Sequence, residues 1–109
     1  MPPGGIDQAA RFYGEVVGLV RIERPETLGG VGAWFRAGGQ ELHVSEHEGF
    51  VPAMKAHPAF ELTGSDLDAL AERLAAAGAD VRWDGRMPGT RRFYSFDPAG
   101  NRLEFLTRE

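Results

Sequence analysis

The chain has 109 residues, of which 42% are hydrophobic and 26% charged, the composition of an ordinary globular protein, and its length predicts a single domain. A net charge of −4 without a basic cluster argues against nucleic-acid binding, because a phosphate backbone requires a concentrated Lys/Arg surface. No apolar run approaches the ~20 residues that cross a bilayer, no signal peptide is recognisable, and cysteine is absent. We therefore expect a cytoplasmic protein with no membrane association, disulfides, thiolate zinc sites or thiol catalysis.

Two apolar stripes at helical spacing predict helices over residues 6–17 and 66–77. Each has an acidic residue at or near its start that can cap the helix, and each ends before a glycine that can adopt the left-handed conformation following a helix. These residues are Asp7 and Gly18 for the first helix, and Asp66 and Gly78 for the second.

Strand candidates fill most of the remaining chain, separated by glycine-containing turns. They cover residues 19–23, 31–37, 40–45, 57–62, 80–83, 92–96 and 101–107. The order is therefore helix and three strands, followed by strand, helix and three strands.

The two halves repeat at a nearly constant offset. Gly18 corresponds to Gly78 at 60 residues, and His43 to Glu104 at 61. The strand before the second helix has a counterpart that would end just inside or before Met1. We therefore expect an α+β fold of two βαβββ modules, residues 1–50 and 57–109. They should form a curved, mostly antiparallel sheet around a cleft, with the first strand of module one missing.

Strand alternation places three candidate metal ligands on one face. If the helices cover the side that carries the leucine and phenylalanine side chains, then His43, His57 and Glu104 point away from the helices. Two imidazoles and one carboxylate suit a divalent Fe, Mn, Co, Ni or Zn ion. The competing interpretation is that His57 is an ordinary surface histidine and that His43 and Glu104 belong to a solvated sheet face.

Three motifs resemble the vicinal oxygen chelate superfamily, the group of glyoxalases, bleomycin-resistance proteins and extradiol dioxygenases. Residues 12–19 (FYGEVVGL) are similar to its Phe-Tyr-x-x-x-Leu-Gly-Leu helix end, and residues 57–62 (HPAFEL) to its His-x-Ala-Phe-x-Val strand. Residues 97–104 (DPAGNRLE) are similar to its Asp-Pro-x-Gly-Asn-x-Ile/Leu-Glu ending. The resemblance covers essentially the whole chain.

The resemblance implies metal ligands on the first, fourth, fifth and eighth strands of the two modules. His57 corresponds to the fifth-strand ligand, Glu104 to the eighth, and His43 to the fourth, which is often empty in dioxygenase-type members. The first-strand ligand has no counterpart. Among the other side chains, Lys55, Arg91 and Arg92 are candidates to hold an anionic substrate. Trp34 is a candidate to line a cleft, and Tyr94 to act as an acid–base group. The competing interpretations are that the charged residues are solvated loop charges and that the aromatic residues belong to the core.

Two functions of different class follow from the resemblance. The first is a divalent-metal-dependent enzyme of lyase, isomerase or dioxygenase type, in which the ion binds two neighbouring oxygens of a small-molecule substrate. The second is a metal-free protein that binds small molecules or sequesters a drug, as bleomycin-resistance proteins do. A homodimer is expected in either case, because the sheet of module one would have an exposed edge.

Overall fold

The computed structural model describes residues 1–53 and 55–108, which fall into two compact units divided between Val51 and Pro52. Each unit combines a helical segment with one β-sheet. None of the described helices is long and apolar enough to cross a membrane.

The first unit contains one helical segment and an antiparallel three-stranded sheet of order β1-β2-β3. Its elements are α1 (Ile6–Arg11), a π-helical turn (Phe12–Val16), β1 (Val20–Ile22), a 3-10 turn (Glu26–Leu28), β2 (Gly32–Ala37) and β3 (Gln40–Ser45). Tyr13 packs against Phe35 with ring centroids 5.9 Å apart, so the helical segment covers the sheet face that Phe35 occupies. Trp34 and His43, which are paired across β2 and β3, lie on the other face.

The second unit contains a helix and a four-stranded sheet of order β4-β7-β6-β5. Its elements are β4 (Ala59–Glu61), α2 (Gly64–Ala76), β5 (Arg82–Asp84), β6 (Thr90–Phe96) and β7 (Arg102–Arg108). β4 pairs with β7 in parallel, whereas the other two pairings are antiparallel. The fold is therefore α+β and mostly antiparallel, as predicted, with one sheet in each unit.

The core of the second unit lies between α2 and the sheet. Leu67, Leu70 and Leu74 are the buried leucines of α2, and Phe93 and Phe105 are buried on the strands. Because side chains alternate along a strand, burial of this face turns the intervening residues of β6 and β7 toward the opposite face. That opposite face, which we call the site face, carries the residues described below.

Several predicted boundaries differ from the structure for local reasons. The 6–17 segment is α-helical only to Arg11 and then widens into a π-helical turn, and Gly5 rather than Asp7 precedes it. α2 begins at Gly64 because the Thr63 hydroxyl accepts the Asp66 backbone N–H at 3.3 Å, so Thr63 is its N-cap. Asp66 lies in the first turn instead, where the positive end of the helix dipole stabilises a carboxylate.

Met1 lies against β3 in the same way that Leu62 lies against β7. The Met1 amino group donates to the Ser45 carbonyl at 2.8 Å, and the Leu62 N–H donates to the Leu106 carbonyl at 2.8 Å. Both residues of the second pair follow those of the first by 61 positions. The hydrogen bonds thus reproduce the repeat offset found in the sequence.

Candidate active site

A histidine and a glutamate meet on the site face of the second unit. His57 precedes β4, and its Nε2 lies 2.9 Å from Oε1 of Glu104 on β7. Only 7% of the Glu104 side chain and 21% of the His57 side chain are exposed. The predicted convergence of these two residues is therefore observed, and a buried carboxylate of this kind requires a partner.

Both ring nitrogens of His57 face hydrogen-bond acceptors. Nδ1 lies 2.7 Å from the Lys55 carbonyl oxygen, and Nε2 faces the Glu104 carboxylate. A neutral imidazole carries one N–H and can satisfy one acceptor only. One of the two acceptors therefore lacks a donor on a neutral ring, and a cation bound between Nε2 and Glu104 would satisfy it.

These two atoms could serve as two of the ligands of a metal ion. Nitrogen and oxygen ligands that bind one ion at about 2.0–2.2 Å lie roughly 3–4 Å apart, so the pair would have to separate by only a small distance. Metal-binding histidines usually donate their other N–H to a backbone carbonyl or a carboxylate, as the Nδ1 contact with Lys55 allows.

Glu104 is also held by an arginine. Nη1 of Arg92 on β6 donates to Oε2 of Glu104 at 3.3 Å, and Nη2 donates to Oδ2 of Asp84 on β5 at 2.9 Å. Burial opposes the charge on Arg92, but the hydrogen bond to Glu104 and the neighbouring negative charges outweigh it and raise the Arg92 pKa above its usual value. Arg92, which was expected to bind substrate, is thus engaged by two carboxylates.

Asp84 completes this network. The Arg86 side chain hydrogen-bonds both of its carboxylate oxygens, and the Arg86 backbone N–H donates to Oδ1 at 2.9 Å. The side-chain and then the backbone hydrogen bonds from Arg86 hold the Asp84 pKa well below its usual range, with a further contribution from the charge of Arg92. Asp84 therefore stays ionised and fixes the orientation of Arg92.

Tyr94 lies at the centre of the site face and is 9% exposed. Its ring is perpendicular to that of His57, with centroids 5.6 Å apart. The Arg102 guanidinium lies over the same ring at 4.1 Å, and that of Arg92 at 5.3 Å. The Tyr94 ring thus lies in contact with both His57 and the Arg102 guanidinium.

Trp34 and His43 form a separate arrangement in the first unit. Their rings are stacked, with centroids 3.6 Å apart and planes 3° from parallel. His43 Nε2 also contacts Oε1 of Glu41 at 2.8 Å, and about half of each of these two side chains is exposed. Over residues 1–53 and 55–108, no three His, Cys, Asp or Glu side chains are grouped so as to hold a metal ion.

Three residues of the site face were not singled out from the sequence. Asp84 was outside the predicted strand 80–83, so its alternation could not be used. Arg102, in contrast, is predictable, because it lies two positions before Glu104 and therefore on the same face. Arg82 lies opposite Tyr94 and shares this face. The same rule separates Arg91 from Arg92. Arg91 points toward α2 and pairs with Asp68 at 2.8 Å.

Comparison with known proteins identifies the family. The model of the Glyoxalase/Bleomycin resistance protein/Dioxygenase superfamily matches residues 1–105. Metallothiol transferase FosB from Shouchella clausii is 32% identical over 114 residues, which cover 94% of this chain and 72% of that protein. A crystal structure of a glyoxalase family protein from Bacillus anthracis superposes with a TM-score of 0.92 at 39% identity, covering 100% of this chain and 88% of the other.

A more distant structure shares the fold alone. It is a variant of the fosfomycin resistance protein FosX from Listeria monocytogenes, complexed with Mn(II) and 1S,2S-dihydroxypropylphosphonic acid. It superposes with a TM-score of 0.80 at 17% identity, covering 95% of this chain and 84% of the other. Together with the match over residues 1–105, these likenesses agree with the three sequence motifs and the repeated architecture. The chain therefore belongs to the Glyoxalase/Bleomycin resistance protein/Dioxygenase superfamily.

Proposed function

We propose that this protein is a divalent-metal-dependent enzyme of lyase, isomerase or dioxygenase type that acts on a small substrate with two neighbouring oxygens. His57 Nε2 and the Glu104 carboxylate would hold the ion, with His43 as a further candidate ligand. When bound, the ion would act as a Lewis acid that stabilises negative charge developing on a substrate oxygen. Fe, Mn, Co, Ni and Zn all suit such ligands.

The observation that carries the proposal is the pair of acceptors around His57. If Nδ1–H donates to the Lys55 carbonyl, the lone pair of Nε2 is left to bind a cation shared with Glu104. In addition, FosB is named a metallothiol transferase and the FosX structure contains Mn(II). These names describe relatives, and they support metal binding by this chain.

The neighbouring residues would orient the site. Arg92 holds Oε2 of Glu104 and thereby leaves Oε1 directed at His57. Asp84 and Arg86 restrict Arg92 in turn. We propose Tyr94 as a substrate contact and candidate acid–base group, because its ring adjoins His57, and Trp34 as a second aromatic contact.

The three histidines allow a matched test of the proposal. Metal content is measured in the purified protein, and Mn(II), Co(II), Ni(II) and Zn(II) are titrated calorimetrically into the metal-free protein and its variants. His57→Ala and Glu104→Gln should each weaken binding by more than about 100-fold, because loss of a ligand exceeds the 10–100-fold cost of losing an outer hydrogen-bond partner. His43→Ala tests the further ligand, and His47→Ala, which removes an exposed histidine, should leave the affinity unchanged.

If the wild-type protein binds no divalent ion, or if His47→Ala weakens binding as much as His57→Ala, the metal-dependent enzyme is excluded. The alternative is a metal-free protein that binds small molecules. One observation favours it, because both Glu104 oxygens already have partners, His57 and Arg92. In that case a small organic ligand would bind with equal affinity in EDTA and in the presence of metal.

We also propose that the protein is a homodimer. In the first sheet, β3 is an edge strand among the described strands. An exposed strand edge can pair with another chain. Light scattering coupled to size-exclusion chromatography should give twice the 11.9 kDa mass of the chain, and a mass that stays at 11.9 kDa at high concentration would exclude the dimer.

A further inference from the structure

A cavity of about 330 Å³ opens on the site face of the second unit. Its walls include Pro52, Arg82, Tyr94, Phe96, Gly100 and Arg102. The volume is at the lower end of the range for small-molecule sites. The walls combine two aromatic rings with two guanidinium groups, which is a suitable environment for an apolar group that carries a negative charge.

Arg102 differs from three other arginines of the second unit. Arg82 pairs with Asp80, Arg86 with Asp84, and Arg92 with both Asp84 and Glu104. Within residues 1–53 and 55–108, Arg102 has no carboxylate within ion-pair distance. Its guanidinium instead lies over the face of Tyr94 at 4.1 Å, and this contact leaves the N–H groups at the edge of the guanidinium plane for a ligand.

The charged residues that line the cavity are opposite in sign to the net charge of the whole protein. The described lining includes Arg82 and Arg102 and no carboxylate, and Arg82 pairs with Asp80 outside it. The chain as a whole has a net charge of −4. A bound divalent ion would add to the local excess of positive charge, and the two charges together would attract an anionic substrate.

The position of Arg102 links this cavity to the proposed metal ligands. Arg102 and Glu104 are alternate residues of β7, so both lie on the site face, roughly 7 Å apart along the strand. Tyr94 contacts both Arg102 and His57. A small molecule anchored at Arg102 would therefore extend toward the His57–Glu104 pair.

We propose that this cavity binds the anionic end of the substrate, a carboxylate or a phosphonate attached to a small apolar group, through bidentate contact with Arg102. The link to a substrate rests on the proposed function, whereas anion binding does not. The planar fork of arginine matches both oxyanions, and Tyr94 and Phe96 pack against the apolar group.

Direct titration of metal-free protein tests the inference. Phenylphosphonate and benzoate are the probes, and benzyl alcohol is the uncharged control, with all three measured by calorimetry in EDTA-treated samples without phosphate buffer. The wild-type protein should bind each anion at least about tenfold more tightly than the alcohol, in line with charge-assisted bonding to a guanidinium. The ratio of the two anions shows whether the site prefers a tetrahedral or a planar oxyanion.

Two variants isolate the role of Arg102. Arg102→Gln should weaken both anions by about tenfold or more and leave benzyl alcohol unchanged, whereas Arg102→Lys should have an intermediate effect because it keeps the charge but loses the fork. Arg108→Gln is the matched control, because it removes the same charge from an exposed position of the same strand. It should change anion binding by less than about twofold.

Equal effects of Arg102→Gln and Arg108→Gln would overturn the inference, as would equal affinity for benzoate and benzyl alcohol or no binding of either anion. The metal titration separates this outcome from failure of the proposed function. Metal binding at His57 without anion binding refutes the cavity assignment alone. Anion binding through Arg102 without any metal affinity refutes the metal-dependent enzyme alone.

Discussion

Ser95 provides a test of the core of the second unit. It lies on the α2 side of β6, opposite Leu103, with 0% of its surface exposed. Its hydroxyl has no hydrogen-bond partner among the described residues. A buried polar group without a partner costs free energy, because it gives up its bonds to water on folding. We therefore predict that Ser95→Ala stabilises the protein.

The magnitude follows from two opposing contributions. Removing an unsatisfied hydroxyl recovers its desolvation cost of about 1–3 kcal/mol. The void left by one oxygen atom costs a few tenths of a kcal/mol, at about 24 cal/mol per Å³. The net free energy of unfolding should rise by about 1 kcal/mol, which corresponds to a Tm increase of roughly 4 °C for a chain of this length.

Urea denaturation monitored by circular dichroism measures this difference. Ser45→Ala serves as the control, because Ser45 is exposed and its substitution should change stability by less than about 0.5 kcal/mol. If Ser95→Ala instead loses about 1 kcal/mol or more, the hydroxyl has a bonding partner in solution and the reasoning fails.

Three further predictions concern packing, charge and capping. Leu74→Ala removes a fully buried leucine of α2 and should lower the free energy of unfolding by about 2–5 kcal/mol in urea titrations. A loss of less than about 1 kcal/mol would mean that the surrounding core collapses around the smaller residue. Because the pKa of Asp84 is depressed in the folded state, its contribution to stability is present above the unfolded value of about 3.9 and lost as the pH falls through the lower folded value. The stability deficit of Asp84→Asn should therefore be constant from pH 7 to pH 5 and become progressively smaller as the pH falls below about 4, whereas a deficit that does not change between pH 5 and pH 2 would contradict the assignment. Thr63→Ala should cost about 1 kcal/mol and more than Asp66→Ala in the same urea assay, and the reverse order would restore Asp66 as the cap.

Much of the fold could be predicted because periodicity and repeat agree. Strand β3 was predicted at residues 40–45 and is observed at Gln40–Ser45, and the turn glycines Gly18 and Gly78 have the expected positive φ of 88° and 83°. The caps were less predictable, since several polar residues compete at each helix start. Thr63 and Asp66 are both good caps, and the backbone path alone decides between them. The π-helical turn at Phe12–Val16 has no propensity signal of its own.

The candidate site was predicted only where a motif and strand alternation coincide. Both identify His57 and Glu104, and the structure brings them to 2.9 Å. The charge of Arg92 makes it a candidate anion ligand, but the sequence does not show its ion pairs with Glu104 and Asp84, because those contacts connect three different strands. Arg102 lies in the predicted strand 101–107 and shares the face of Glu104 by alternation, but its contact with the Tyr94 ring joins two strands and has no signal in the sequence.

The pairing of β4 with β7 has a consequence for biosynthesis. Ala59 lies opposite Glu104, 45 residues later in the chain. At about 5–20 residues per second, translation would leave β4 without its neighbour for roughly two to nine seconds. The first unit ends at Val51, so all of its residues are synthesised before β7. Of the two residues proposed to hold the ion, the histidine therefore emerges from the ribosome early, and the glutamate arrives on the strand that completes the sheet.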